Sequence, residues 1–346
     1  MTDFSAAEQA AMRRAVALAR TPGVPLGPNP RVGCVLLDAH GEVVAERHHR
    51  GAGTPHAEAA ALAAAGASAR GATAVVTLEP CNHTGRTGPC SRALLEAGVA
   101  RVVYAQADPN PLAQGGEKAL RDAGVDVASG LLEDEARAVN RAWAFGLEHG
   151  RPLVTWKFAT TLDGRSAAAD GTSRWVSSRP ARLDTHRLRA ECDVMVVGTN
   201  TVAVDDPQLT VRDAQDRPVE HQPLRAVVGT RELPSDRRVL DGQAPTVQLR
   251  THDPRAALEE LFALGRRHVF LEGGPTLAAA FLEAGLVDEV VAYVAPMLLG
   301  AGRSAVGDLG IGTITDARHL AVTDVRTVGE GAETNVRITL TPEGAR

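Results

Sequence analysis

Two stretches decide how this chain is read: HAEAAAL at residues 56–62 and EPCNHTGRTGPC at residues 79–90. The first places His56, one spacer and Glu58 at the head of an alanine-rich run suited to a helix. The second follows a strand-like apolar run and carries Cys81 and Cys90. Zinc prefers nitrogen and sulfur ligands, and a catalytic zinc keeps three protein ligands and one open position. His56, Cys81 and Cys90 supply such a set, with Glu58 close enough to move a proton. His83 is the alternative fourth ligand, which would make the site structural. Each segment alone has a plainer explanation, a helix start or a buried cysteine; their order and setting together favour the metal.

Around these segments the chain divides. Residues 1–150 alternate strand-like runs (Val32–Leu37, Val43–Arg47, Ala74–Leu78, Val102–Gln106, Val125–Val127) with helical ones (about 6–20, 57–65, 91–97 and 116–123), ending in a polar helix at roughly Glu133–Glu148. His149-Gly150-Arg151-Pro152 reads as a boundary. Residues 151–346 restart with Leu153–Phe158 and continue through strands near 194–197, 225–228, 246–249, 268–272, 289–294 and 336–340. Helices are expected at about 179–190, 254–264 and 275–284. The fold class is therefore α/β in two domains, each able to bury its own core.

Composition narrows the function. The net charge of −5 and an aromatic content of 3% leave no basic footprint and little stacking surface for nucleic acid. Apolar runs are too short to span a bilayer. Four cysteines in 346 residues are no disulfide framework, so the cytoplasm is the expected location. A small-molecule substrate is expected, and a homodimer or higher homo-oligomer on base rate.

His-x-Glu followed by Pro-Cys resembles the signature of zinc nucleobase deaminases. Here eight residues separate the cysteines, unlike the tight cysteine loop of nucleoside and polynucleotide deaminases. Together with DPNP at 108–111, the segment TLEPCNHTGRTGPC at 77–90 resembles the deaminase half of the bifunctional riboflavin-biosynthesis deaminase–reductases. Gly88 stands where that family usually has the first proline of TPPC. The resemblance implies a cytidine-deaminase-like zinc domain over 1–150, with His56, Cys81 and Cys90 on zinc and Glu58 as general acid–base. It also implies a deaminase pocket lined by Asn29 (from GPNPRVG), His83, Arg86, Asp108 and Asn110. For Asn29, Asp108 and Asn110 the plainer alternative is a turn residue.

The second half has no G-x-G-x-x-G, so the usual dinucleotide fingerprint is missing. VFLEGGPTLAAAFL at 269–282 offers strand, Gly-Gly and a helix start, where backbone N–H groups attract phosphate. With KFATTLDGRSA (157–167), SRWVSS (173–178) and GTNTVAVDDPQLTVR (198–212), it resembles the reductase half of the same family. That implies a dihydrofolate-reductase-like fold over 151–346 using NADPH. The implied nucleotide contacts are Ala159, Trp175, Thr201, Asp205, Thr230, Gly274, Pro275, Thr276, Leu277, Ala278, Ala279 and Ala280. Those to a phosphorylated sugar are Ser173, Arg189, Leu209, Arg212 and Glu272, with Lys157 as a further pocket residue. Asp163-Gly164 reads as a turn, Trp143 and Trp156 as packing, and Cys34 and Cys192 as buried apolar groups. Two rivals remain. A polynucleotide deaminase would need a short cysteine spacing and a basic face; a non-catalytic zinc protein would lack Glu58 or have four ligands.

Overall fold

The computed structural model describes residues 4–83 and 88–343. They form two compact units, Met1–His149 and Gly150–Arg346.

In the first unit the order is α1 (Ala6–Ala19), β1 (Gly33–Leu37), β2 (Val43–His48), α2 (Ala57–Ala65), β3 (Thr73–Leu78), α3 (Cys90–Glu96), β4 (Arg101–Gln106), α4 (Gly116–Asp122), β5 (Asp126–Ser129), α5 (Glu133–Val139) and α6 (Arg141–His149). The sheet runs β2-β1-β3-β4-β5, with β3, β4 and β5 parallel and β1 antiparallel to both its neighbours. Strand side chains alternate between faces. Cys34, Leu36, Ala74, Val76, Val102 and Tyr104 therefore pack with Ala57, Ala61 and Leu94 on one side. Val35, Val75, Val103 and Ala105 pack with Met12, Ala15 and Ala136 on the other. Gly33 lets α1 lie directly on the sheet, since a Cβ there would sit 2.0 Å from the Ala15 carbonyl oxygen.

The single helix expected at 133–148 is two helices, broken at Asn140. The Asn140 side chain is drawn into pairing with the Arg31 backbone, accepting from its N–H (2.8 Å) and donating to its carbonyl (2.9 Å). Its second part is not polar throughout: Ala142, Trp143 and Gly146 are buried.

The second unit contains β6 (Leu153–Thr161), β7 (Arg165–Ala167), α7 (Arg179–Ala190), β8 (Val194–Gly198), α8 (Thr199–Asp205), β9 (Leu224–Val228), β10 (Thr246–Leu249), α9 (Pro254–Ala263), β11 (His268–Leu271), α10 (Pro275–Glu283), β12 (Glu289–Ala295), β13 (Arg303–Ser304), β14 (Leu320–Val328) and β15 (Asn335–Pro342). Its main sheet runs β10-β9-β8-β11-β6-β12-β15-β14. Strands β10 through β12 in that order are parallel, and β15 and β14 return antiparallel. Helices α9 and α10 cover one face through Leu258, Leu261, Ala278 and Phe281. Val202 of α8 packs against the opposite face with Met195, Val197 and Phe270.

Arg225, fully buried on β9, donates to Asp241 Oδ1, Thr246 Oγ1 and the carbonyls of Gln208 and Ala244, pinning the 206–245 excursion to the sheet. In an open parallel sheet, ligands bind beyond the carboxyl ends of the strands. There the chain places Gly198, Gly229 and Gly273-Gly274. Among the described residues no helix is long and apolar enough to cross a membrane.

Candidate active sites

At the end of β3 the chain turns through Pro80 into Cys81, and α2 and α3 start beside it. His56 is the residue that caps α2, and Cys90 is the first residue of α3. His56 Nδ1 lies 3.5 Å from Cys81 Sγ and 3.3 Å from Cys90 Sγ. All three donor atoms fall within 4.8 Å of one another. With metal–donor bonds of about 2.0–2.3 Å, tetrahedral geometry needs donor separations of roughly 3.3–3.8 Å, and both His56–sulfur distances fit zinc. The thiols suit it chemically too. A hydrogen bond with Cys90 and another with His56 bring Cys81 down to about 4 against the effect of burial, while the same pairing pushes Cys90 up.

Glu58, on the first turn of α2, is 4% exposed, and burial pushes its carboxyl up to about 7. It lines one cavity with Asn29, His49, His56, Cys81, His83, Asp108, Asn110 and Trp143. That cavity gathers the pocket residues expected from sequence, except Arg86, which lies outside the described residues. His83 Nδ1 is buried with no partner among the described residues. Asp108 is buried, which pushes its carboxyl up to about 6, and Oδ1 accepts from Asn110 N–H at 2.8 Å.

Three contributors were not read from the sequence. His49 contacts the Pro55 carbonyl through Nδ1 at 3.0 Å, so that nitrogen carries the proton. Its Nε2 then accepts from Asn29 Nδ2 at 3.1 Å, leaving Asn29 Oδ1 as an acceptor for the cavity. Burial lowers the His49 pKa, which favours the neutral ring. Trp143, expected as packing, is buried in the core and also lines the cavity, where Nε1 donates to the Pro28 carbonyl at 3.0 Å. Glu79, at the mouth of β3, accepts three backbone N–H groups. Asn29 was marked by the GPNP segment, but nothing in the sequence tied His49, 20 residues away, to it.

In the second unit, Arg189 holds Glu272 in a two-point ion pair, Nε–Oε1 2.5 Å and Nη2–Oε2 2.8 Å, and donates to the Thr210 carbonyl. Burial pushes the Glu272 carboxyl up, but Arg189 and then Lys157 overcome it and hold the group at about 2. Burial lowers the Lys157 ammonium, with Glu272 opposing. Arg212 is also engaged, with Thr210 Oγ1, Gln208 and Asp216. Both arginines expected to contact the phosphorylated sugar are therefore already engaged by protein groups.

Of the nucleotide candidates, Thr201, Thr230 and Gly274 follow the carboxyl ends of β8, β9 and β11, whereas Ala159 lies within β6, Trp175 in the loop before α7 and Asp205 at the end of α8. Thr201 Oγ1 lies 3.7 Å from where a Gly274 Cβ would be. Thr230 Oγ1 is 3.1 Å from His252 Nε2. Arg174 donates to the Asp205 carbonyl, tethering the loop that carries Ser173 and an exposed Trp175. Ala159 is half-buried on β6. Gly274, Pro275, Leu277 and Ala280 are partly open and Thr276 is exposed. Ala278 and Ala279 are buried, and Ala278 packs in the core, which moves the accessible part of that segment to its first turn. Leu209, at φ 53°, packs into the core, so its side chain faces away from solvent. Asp163 is a turn residue, accepting from Thr161 Oγ1, Leu299 N–H and Gly300 N–H. Trp156 stacks on Phe158 inside the core.

These two constellations define a zinc-type hydrolytic deaminase joined to a reductase. Residues 5–106 match the cytidine and deoxycytidylate deaminase zinc-binding region, and residues 152–333 match the RibD C-terminal domain. The riboflavin biosynthesis protein RibD of Mycobacterium tuberculosis is 50% identical over 303 residues, covering 87% of this chain and 89% of that one. A solved structure of Acinetobacter baumannii RibD superposes with a TM-score of 0.82 at 36% identity, covering 97% and 99%. The Thermotoga maritima diaminohydroxyphosphoribosylaminopyrimidine deaminase/5-amino-6-(5-phosphoribosylamino)uracil reductase gives 0.83 at 29% identity, with the same coverage. The chain belongs to the RibD family, bifunctional zinc-dependent deaminases and NADPH-dependent reductases of riboflavin biosynthesis.

Proposed function

We propose that residues 1–150 hydrolyse the 2-amino group of 2,5-diamino-6-(5-phosphoribosylamino)pyrimidin-4(3H)-one, releasing ammonia. Residues 151–346 then reduce the ribosyl group to ribityl with NADPH, giving 5-amino-6-(5-phosphoribitylamino)uracil. The observation that carries the first step is the cluster of His56, Cys81 and Cys90, set beside a cavity that His56, Cys81 and Glu58 line. His56, Cys81 and Cys90 hold zinc, which supplies Lewis-acid activation of water at neutral pH. Glu58 takes a proton from the attacking water and returns it to the departing amine, so water adds and ammonia leaves with no net proton change. Asn29 Oδ1, His83, Asp108 and Asn110 bind the pyrimidine edge, with Arg86 on its phosphorylated side chain.

For the second step, Thr201, Thr230 and the Gly274–Leu277 helix start hold the nucleotide phosphates, where free N–H groups favour anions. Ala159, Trp175 and Asp205 border the same nucleotide. Each Glu272 oxygen keeps a second lone pair for a sugar hydroxyl while Arg189 fixes its direction. Lys157, whose ammonium interacts with Glu272, joins Ser173 and Arg212 in holding the phosphorylated sugar. The protein acts in the cytoplasm as a homodimer or higher homo-oligomer.

The test follows the two products separately. Purified protein given the diaminopyrimidinone phosphate should release ammonia without NADPH and oxidise NADPH only after release. Glu58→Gln should retain zinc, lose about 10²–10⁴-fold in ammonia release, and still reduce the deaminated substrate. Ammonia release by that variant at the normal rate would end the assignment.

A further inference from the structure

Glu79 has no role in the reading above, yet it is 8% exposed and among the described residues has no cationic partner. Backbone N–H groups meet its charge instead. Oε2 accepts from Asp108 N–H at 3.3 Å, while Oε1 accepts from Gly115 N–H at 3.2 Å and Glu117 N–H at 3.1 Å. Asp108 opens the loop that ends at Gly115, so one carboxylate fastens both ends of it. That loop carries Asp108, Asn110 and Ala113 into the deaminase cavity.

The attachment is reinforced by the chain on either side of Glu79. Its own N–H donates to the Gln106 carbonyl at 2.8 Å, and Asn82 N–H donates to the Ala113 carbonyl at 3.0 Å. Inside the loop, Gln114 Nε2 closes on the Asp108 carbonyl at 2.8 Å. Two residues beyond Glu79 stands Cys81, one of the three metal donors. The same short segment thus holds the metal end of the cavity and the loop at its other wall.

We propose that Glu79 is a positioning residue of the deaminase, whose carboxylate fixes the distance between the Asp108–Asn110 loop and Cys81. The proposal rests on the reading that this loop binds the pyrimidine. A carboxylate is required because three N–H donors converge on two acceptor oxygens. A carboxamide turns one of those oxygens into a donor, so either the Asp108 end or the Gly115–Glu117 end loses its partner.

Glu79→Gln is therefore expected to raise the deaminase KM about tenfold, equivalent to about 1.4 kcal/mol, with kcat within about threefold. It should keep one zinc per chain. Glu79→Asp keeps the charge but withdraws it by about one C–C bond, ~1.5 Å, and should give an intermediate KM; it decides the matter alone if the glutamine variant does not fold. Asn110→Ala should also raise KM, and its combination with Glu79→Gln should raise it by much less than the product of the two. An unchanged KM in the Glu79 variants, loss of zinc, or fully multiplicative effects would each overturn the proposal. If Asn110→Ala leaves KM unchanged while Glu79→Gln shifts it, the binding role of the loop falls first and the proposal with it.

Discussion

Gly116→Ala gives a sharp test of how the deaminase pocket is built. A Cβ at Gly116 would stand 1.7 Å from the Pro80 carbonyl oxygen, where ordinary contact begins at 3.4 Å. The obstacle is backbone, so no side-chain rotation relieves it. The start of α4 and the Pro80-Cys81 segment must separate by about 1.7 Å to reach ordinary contact. Overpacking of this kind costs about 1–3 kcal/mol. For a unit near 150 residues that lowers its unfolding midpoint by roughly 2–12 °C. The larger effect is on chemistry: displacing a positioned group by about 1 Å costs on the order of 10²-fold in rate, and the displaced segment carries Cys81. Purified Gly116→Ala protein should be assayed for bound zinc, thermal unfolding and ammonia release. The expected result is a loss of about 10²-fold in kcat/KM, or of the zinc itself. A variant with full zinc and a rate within twofold of wild type would show that this contact does not position the cysteine, refuting the reasoning.

Further outcomes concern both halves. Dialysis against a chelator should abolish ammonia release, restored by adding zinc, while NADPH-dependent reduction of the deaminated substrate continues. Arg225→Leu should destabilise the second unit by about 3 kcal/mol, the low end for a broken buried pair because Asp241 still reaches water; a midpoint shift of roughly 6–12 °C in calorimetry checks it. Arg189 and Lys157 hold the Glu272 carboxyl at about 2, below the ordinary 4.5 of a free glutamate, so its stabilisation is present above pH 4.5 and is lost as pH falls toward 2. Urea titrations of wild type and Glu272→Gln should therefore differ most at pH 7 and converge toward pH 3; a constant gap would contradict the ion pair's role.

Much of this was legible in the sequence because the signals were local. His56 and Glu58 stand at the cap and first turn of one helix, and Cys81 follows a strand whose apolar run is unmistakable. The helix at Arg179–Ala190 carried its own start signal, Ser178 with Pro180 behind it. What was missed depends on long-range contacts. Asn140 breaks a helix by pairing with Arg31, 109 residues away in sequence. Strand β14 is largely exposed, so it lacks the apolar alternation that marks a half-buried strand. Helix α8 is short and polar at its start, and was read only as part of a motif. The occupation of Arg189 by Glu272, 83 residues apart, could not be told from an open phosphate fork without the geometry.

The three zinc donors come from a strand exit and two helix starts, spread across 34 residues of chain. Supply of a single ion therefore governs whether those three elements are tied together at the cavity floor. In a cell starved of zinc, newly made chains would keep their reductase yet carry a slack deaminase. Of the two activities, the deaminase alone would then depend on the supply of zinc.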